Sequence, residues 1–475
     1  MSHATLTRHL PSSLEAARRF ARSAQVTESW VTSNAQVDAW LAEQHRSNPF
    51  HVARIPFSRL RGWRFRPDTG NLAHDSGRFF SVEGLHVRTD FETGGSWSQP
   101  IINQPEIGIL GILAKEFDGV LHLLMQAKME PGNINGIQLS PTVQATRSNY
   151  IGVHGGRPID YLEFFTDRSR AEVVVDVLQS EQGSWFLRKR NRNMVVEVTG
   201  DVPEHPDFRW LTLGQVDRLM RVDNMINMDA RSVLSCLPRV PETGGAADDH
   251  QAMLRASFAP DAWSLHPDAV ILQWLTELKA RHELVQHQDG LNTVKGWYRD
   301  EHRIAHESGK YFTVMAAEVQ AGNREVPAWT QPLVEPVERG VTAFFTRPIG
   351  GVLHLLVHAR AEAGSRDVVE LAPTVQFEPV NYADLPPGQG PRFRAEALSA
   401  PAAQIRYDVI QSEEGGRFHC AETRNLIVDV GGSFPLEVPP EFVWMTPRQI
   451  TSLLRHSYYL GIQARSLFAG LQSIS

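Results

Sequence analysis

Hydrophobic spacing divides the chain into helical ends and strand-rich middles. Apolar residues recur at intervals of three and four in Val37-Asp-Ala-Trp-Leu-Ala-Glu-Gln44 and in Ile271-Leu-Gln-Trp-Leu-Thr-Glu-Leu-Lys279, which predicts two helices. Leu14, Ala17 and Phe20 fall on one side of a short N-terminal helix. Residues 79–88, 107–115, 119–130, 137–146, 171–180 and 184–198 are enriched in apolar and β-branched residues between Gly or Pro, as half-buried strands are. Glu181-Gln-Gly183 reads as a hairpin turn between two of them, and Glu414-Gly-Gly416 repeats it. Closing helices begin at Leu211 and Met445, with Thr212 and Thr446 as N-caps and Pro447 at the favoured first helical position. Helix, mostly β middle, helix is an α+β pattern, not a doubly wound one.

The pattern occurs twice because the sequence does. QLSPTVQATRSNY at 138–150 returns as ELAPTVQFEPVNY at 370–382, and GVLHLL at 119–124 returns at 351–356, both displaced by 232 positions. The same displacement carries Trp97-Ser-Gln-Pro100 onto Trp329-Thr-Gln-Pro332 and Arg192-Asn193 onto Arg424-Asn425. Trp40, Trp63, Trp210 and Arg231 match Trp274, Trp297, Trp444 and Arg465 at a displacement of 234. Solenoid units run roughly 20–50 residues, so this period marks two copies of one domain. The expected division is a first repeat over 1–240, a linker over 241–261 containing the Gly/Asp-rich Pro241–Asp249 stretch, and a second repeat over 262–475.

Composition narrows the function classes. A net charge of −7 argues against a nucleic-acid or anionic-membrane surface. Two cysteines, Cys236 and Cys420, are too few for a disulfide framework or a zinc site, which fits a cytoplasmic protein. No apolar run approaches the roughly 20 residues of a membrane span. Walker loops, G-x-S-x-G elbows, Gly-rich dinucleotide fingerprints and paired metal-binding Cys or His motifs are missing, so no cofactor and no metal are expected.

Several polar positions stand out against this scaffold. Alternation puts Gln126, Lys128 and Glu130 on one face of a strand end, and the second copy keeps a cation and a carboxylate as Arg360 and Glu362. Such a pair suits a general base with an electrostatic clamp, and equally a surface ion pair. Gln144, Asn149 and Tyr150 recur as Gln376, Asn381 and Tyr382, and either satisfy backbone groups or grip a ligand. His122 and His354, inside apolar runs, read as hydrogen-bonded core residues. Alternation also aligns Arg188, Arg190 and Arg192, of which the second copy retains only Arg424. Clustered arginines suit a diphosphate, because the planar fork meets phosphate oxygens two at a time; a solvated strand face is the plain alternative.

At LMQAKMEPGNINGIQLSPTVQATRSNY (124–150), WSQPIINQPEIGILG (97–111) and LQSEQGSWFLRKRNRN (178–193), with their second-copy counterparts, the chain resembles the NDP-hexose 2,3-dehydratases of antibiotic deoxysugar biosynthesis. The resemblance covers essentially the whole chain. It implies a tandem duplication of a Nudix-like domain, a mixed sheet flanked by helices, and assembly as a homodimer. It also implies a dTDP-sugar substrate, dTDP-4-keto-6-deoxy-D-glucose, converted to the 3,4-diketo-2,6-dideoxy sugar. The acidic helix of Nudix hydrolases has no match, since residues 131–157 contain no Asp or Glu.

That chemistry needs a base for the C3 proton, a stabilised enolate and an acid for the departing C2 hydroxyl. Glu130 is the expected base and Lys128 the oxyanion partner, with Tyr150 or Tyr161 as acid. Arg188, Arg190 and Arg192 are diphosphate candidates, and Trp63 or Trp97 would stack on thymine. Asn133, Asn135, Gln138, Gln144 and Asn149 complete the expected binding set. The second copy, with Arg360, Glu362, Tyr382 and Arg424, replaces amides by Asp367 and Glu370, so its site is expected to be weakened or vestigial. The rival readings are a metal-dependent nucleotide-sugar pyrophosphohydrolase and a non-catalytic nucleotide-sugar binding protein.

Overall fold

A computed structural model describes residues 13–92, 94–146, 158–240, 249–322, 326–386 and 389–475. Each repeat builds one seven-stranded mixed sheet. In the first, the order is Glu172–Ser180, Arg190–Val198, Gly108–Phe117, Val120–Met129 and Phe208–Thr212, with Ile137–Ser140 and Val143–Ala145 paired to the central strands. Only Arg190–Val198 and Gly108–Phe117 run parallel. The second repeat repeats this order with Ile405–Ser412, Glu422–Asp429, Gly340–Ile349, Val352–Arg360 and Phe442–Met445, again with one parallel pair. The central strands are covered on both faces and so read as near-continuous apolar runs.

The smaller sheets are shared. Leu284–Asp289 of the second repeat pairs with Ser81–Thr89 of the first, and Phe50–Ile55 of the first pairs with Phe312–Ala321 of the second. Each five-stranded sheet therefore takes four strands from one repeat and one from the other. Two closing helices, Met228–Ser235 and Ile462–Ser473, meet where the repeats face each other. Arg231 and Arg465 cross there, 1% and 0% exposed: Arg231 Nε donates to Ser466 Oγ at 2.7 Å, and Arg465 Nε donates to Ser232 Oγ at 3.0 Å. Their other nitrogens reach the Ser412 and Ser180 carbonyls at 2.6 and 2.5 Å. Buried cations retain their place only with such complete hydrogen bonding.

Most of the expected elements form, including Asn34–Ser47, Asp268–Arg281 and capping boxes at Thr212 and Thr446. Three expectations change. Asp249–Ser257, placed in the linker, is a helix that buries Leu254 against the second repeat. The strand expected from 184 begins at Arg190, because residues 181–189 form a long connection between Ser180 and Arg190 rather than a tight turn. That connection bonds Ile102 of its own repeat through Trp185 and Leu187, and reaches the other repeat through the Gly183 and Arg188 bonds to Gly364.

Candidate active site

Glu130 follows the last residue of the Val120–Met129 strand and is 4% exposed. Gln144 Nε2 donates to its Oε1 at 2.7 Å, and Asn227 Nδ2 donates to its Oε2 at 3.3 Å. Lys128 Nζ donates to the Gln144 carbonyl at 3.2 Å. Asn227 also caps the Met228–Ser235 helix, its Oδ1 accepting from the Ala230 amide at 2.9 Å. One helix start thus fixes the amide that orients the carboxylate.

The second repeat completes this pocket. The Gly132 amide donates to the Gly415 carbonyl at 2.7 Å, and the Cys420 amide donates to the Gly132 carbonyl at 2.8 Å. This contact brings Glu414 and Arg417 beside the first repeat. Carboxylate oxygens of Glu181, Asp229 and Glu414 lie within 4.8 Å of one another. Arg417 Nε donates to Gln104 Oε1 at 3.0 Å, and its guanidinium sits 4.3 Å from the Phe80 ring, which packs 4.8 Å from Trp63. Lys189 donates to the Glu106 carbonyl.

Like charges in a desolvated space resist ionisation. Burial, then the neighbouring Glu414, Glu181 and Glu130, pushes the Asp229 carboxyl well up. Burial and Glu181 raise Glu414 to about 7, and burial lowers the Lys189 ammonium. Three carboxylates are a possible cation-binding set, but Lys189 and Arg417 already supply positive charge there.

A related cleft of about 980 Å³ is lined by Arg360, Glu362, Glu378 and Tyr382 of the second repeat and by Trp97 and Ser184 of the first. Its core repeats the first arrangement: Gln376 Nε2 donates to Glu362 Oε1 at 2.8 Å, and Arg360 Nη1 donates to the Gln376 carbonyl at 3.1 Å. The surroundings differ. Counterparts of Glu414, Arg417, Lys189 and Asp229 are Gln182, Trp185, Ala421 and Gln463, while Glu378 stands where the first repeat has Thr146. Ser184 Oγ donates to Glu362 Oε1 at 3.1 Å; its counterpart is Gly416.

The fold brings Lys128, Glu130 and Gln144 together and packs Trp63 on the aromatic wall beside Arg417. Trp97 instead lines the second cleft with Arg360, Glu362 and Tyr382. Asn133 is buried against Gly415, and Asn135 and Gln138 bridge to the second repeat through Asn224 and Ser412. Tyr161 does not join the Glu130 group: it lies in an apolar cluster with Phe165 and Phe208, donating to the Pro203 carbonyl at 2.6 Å. Burial pushes its hydroxyl up to about 12. Asn149 and Tyr150 lie outside the described residues.

The three arginines do not converge. Arg188 precedes the strand, has a left-handed backbone (φ 49°) and donates to Gln286 Oε1 at 2.8 Å. Arg190 donates to Tyr458 Oη at 2.7 Å. Arg192 forks onto Asp176, both contacts at 2.6 Å, as Arg424 forks onto Asp408 at 2.8 and 2.6 Å, so this pair belongs to the duplicated scaffold. His122 and His354 are fully buried core residues, and burial pushes His354 down to about 4. Asn227, Asp229, Glu181, Glu414 and Arg417 were not singled out from the sequence. For all but Glu181, which recurs as Glu413, the available signal was a charged or amide residue in one copy facing a different residue in the other, as in Asn227 and Gly461.

The model of the NDP-hexose 2,3-dehydratase family matches residues 34–237 and, again, 268–471. A dTDP-4-dehydro-6-deoxy-alpha-D-glucopyranose 2,3-dehydratase of Saccharopolyspora spinosa is 51% identical over 464 residues, 96% of this chain and 95% of that one. Proteins of the same name from Amycolatopsis orientalis and Streptomyces violaceoruber are 50% and 47% identical, over 95% and 94% of this chain and 93% and 98% of theirs. With both repeats matched and the relatives aligned over nearly their full length, the chain belongs to the NDP-hexose 2,3-dehydratase family.

Proposed function

We propose that this chain dehydrates dTDP-4-keto-6-deoxy-D-glucose to the 3,4-diketo-2,6-dideoxy sugar nucleotide in the pocket around Glu130. The observation that carries the assignment is the buried Glu130 carboxylate, oriented through both oxygens by Gln144 and Asn227 and set two residues from Lys128. The C4 ketone acidifies the C3 hydrogen. Glu130 takes that proton, and Lys128 stabilises the negative oxygen of the enolate. Loss of the C2 hydroxyl gives an enol that rearranges to the diketone. Trp63 supplies an aromatic wall in this reading.

The second cleft is the weakened copy. It sets Glu362 and Glu378 beside Arg360 and has Trp185 and Ala421 where the first pocket has the cations Arg417 and Lys189, which leaves less positive charge for a diphosphate. The repeats are read as Nudix-like domains and the chain as a cytoplasmic homodimer, the latter checked by light scattering of the purified protein.

Incubation with dTDP-4-keto-6-deoxyglucose in D₂O tests the activity: water is lost and deuterium enters at C2. Unchanged substrate with measurable binding would favour a sensor, and magnesium-dependent release of dTMP a pyrophosphohydrolase. Glu130→Gln should cost about 10²–10⁴ in turnover and Glu362→Gln little. Comparable losses would remove the assignment of the working pocket.

A further inference from the structure

Dehydration needs a protonated group for the departing hydroxyl, and the described part of the pocket sets carboxyls close together. Glu130, Glu181, Asp229 and Glu414 share the space with Lys128, Lys189, Arg417 and Arg465. Within it, oxygens of Glu181, Asp229 and Glu414 lie within 4.8 Å of one another, an approach that favours one of them keeping its proton. Asp229 is 3% exposed, yet its Oδ1 finds no hydrogen-bond partner among the described residues, and neither does Glu414 Oε2. Both buried atoms are therefore left with unused hydrogen-bonding capacity.

We infer that Glu414, supplied by the second repeat, is the catalytic acid that protonates the leaving C2 hydroxyl. Geometry selects it from the cluster. Glu181 is held by Asn191, whose Nδ2 donates to it at 2.7 Å, and Asp229 sits in the buried first turn of a helix. Glu414 is partly exposed and shares Gly416 with the base: Glu130 Oε1 and Glu414 Oε1 each lie 3.6 Å from the point a Cβ on Gly416 would occupy. Burial and the charges of Glu181 and Glu130 favour the protonated form of Glu414. At the mirrored positions the second cleft has Gln182, Gln463, Ala421 and Trp185 in place of Glu414, Asp229, Lys189 and Arg417, and its second carboxyl, Glu378, comes from its own repeat.

The step balances without an external reagent. As Glu130 takes the C3 proton, the C3–H electron pair becomes the C3–C4 π bond of the enolate. That enolate re-forms the C4 carbonyl, a C2–C3 π bond forms and the C2–O bond breaks, the oxygen leaving as water with the Glu414 proton. Glu130, whose proton has exchanged with solvent, then protonates C2 while the C3 hydroxyl proton passes to the Glu414 carboxylate, restoring both groups. The assignment rests on the dehydration reading above.

Glu414→Gln keeps the shape and removes the proton, and Gln182 at the mirrored position indicates that the fold accepts the amide. The variant should lose about 10²–10⁴ in turnover of dTDP-4-keto-6-deoxyglucose while exchange of the C3 hydrogen in D₂O continues. On the 2-deoxy-2-fluoro analogue, whose fluoride leaves without protonation, it should release fluoride within about threefold of the unmodified protein. Normal turnover of the natural substrate overturns the inference, as does an equal loss on both substrates or loss of C3 exchange. Failure of the base assignment reads out separately, as C3 exchange that survives Glu130→Gln.

Discussion

Replacing Gly132 by alanine should uncouple the repeats at the site itself. A Cβ built on Gly132 falls 1.6 Å from the Phe418 carbonyl oxygen, and one on Gly364 falls 1.9 Å from the Phe186 carbonyl oxygen. Ordinary carbon–oxygen contacts are more than 3 Å, so either loop must retreat by well over 1 Å. Retreat breaks the Gly132–Gly415 and Cys420–Gly132 bonds in one case, and the Gly364–Gly183 and Arg188–Gly364 bonds in the other. Two buried backbone bonds left unmade cost about 1–3 kcal/mol each, hence about 2–6 kcal/mol for either variant. Gly132→Ala moves Glu414 away from Glu130, whereas Gly364→Ala pushes back residues 183–188 at the Glu362 cleft and reaches the first pocket only through Glu181 and Lys189 at the ends of that connection. A 1 Å misplacement of reacting groups costs on the order of 10²-fold in rate. Differential scanning fluorimetry should show comparable falls in Tm, and steady-state assays below both melting temperatures a loss of about 10² in kcat for Gly132→Ala alone. If Gly364→Ala loses as much turnover, the division of labour between the pockets is wrong.

Three further outcomes follow from the geometry. Glu414 is raised to about 7 in the folded chain from an ordinary value near 4.5, with Asp229 and Glu181 also raised and Glu130, Lys189 and Arg417 around them. A raised carboxyl contributes full stability below its unfolded pKa and loses it as pH rises through the folded one. Thermal melts should therefore show Glu414→Gln gaining on the unmodified protein between pH 4.5 and 7, and a constant difference across that range would contradict the burial argument. Tyr161→Phe removes one hydrogen bond to Pro203, which should cost about 1 kcal/mol in urea unfolding and leave kcat unchanged. Residues 1–240 and 249–475 expressed separately should each lack a strand of a shared sheet and aggregate, whereas co-expression should recover a soluble complex, as seen by size-exclusion chromatography.

The sequence displays the local physics of this fold and hides its exchange. Strands such as Val120–Met129 and caps such as Thr212 were legible because alternation, apolar runs and capping boxes act over a few residues. The pairing of Phe50–Ile55 with Phe312–Ala321 was not, since nothing in a strand states which distant edge it will meet. Lys128, Glu130 and Gln144 were legible because they recur as Arg360, Glu362 and Gln376. Arg188 misled because alternation presumes a strand, and its left-handed backbone lies in the loop before one. Glu414 was passed over as a turn residue, although Gln182 opposite it was a readable difference.

The exchange also explains why a second pocket with altered chemistry keeps its scaffold. Glu414 and Arg417 enter the first pocket on the connection between Ser412 and Glu422, so the second repeat cannot drift freely without moving them. Its own counterpart of the carboxylate cluster is neutralised but still satisfied: Gln463 Nε2 donates to Glu413 Oε2 at 2.8 Å, and Thr423 donates to Glu413 Oε1. Exchanging Asp229 for Gln463 converts a repelling acid pair into a donor–acceptor pair, which relieves the desolvation cost borne on the other side. Strain concentrated in one pocket and relaxed in the other is what a shared fold with one demanding reaction should show. The second repeat is thus a structural partner of the first pocket, and that role alone is enough to retain its strands, its buried Arg465 and its loop.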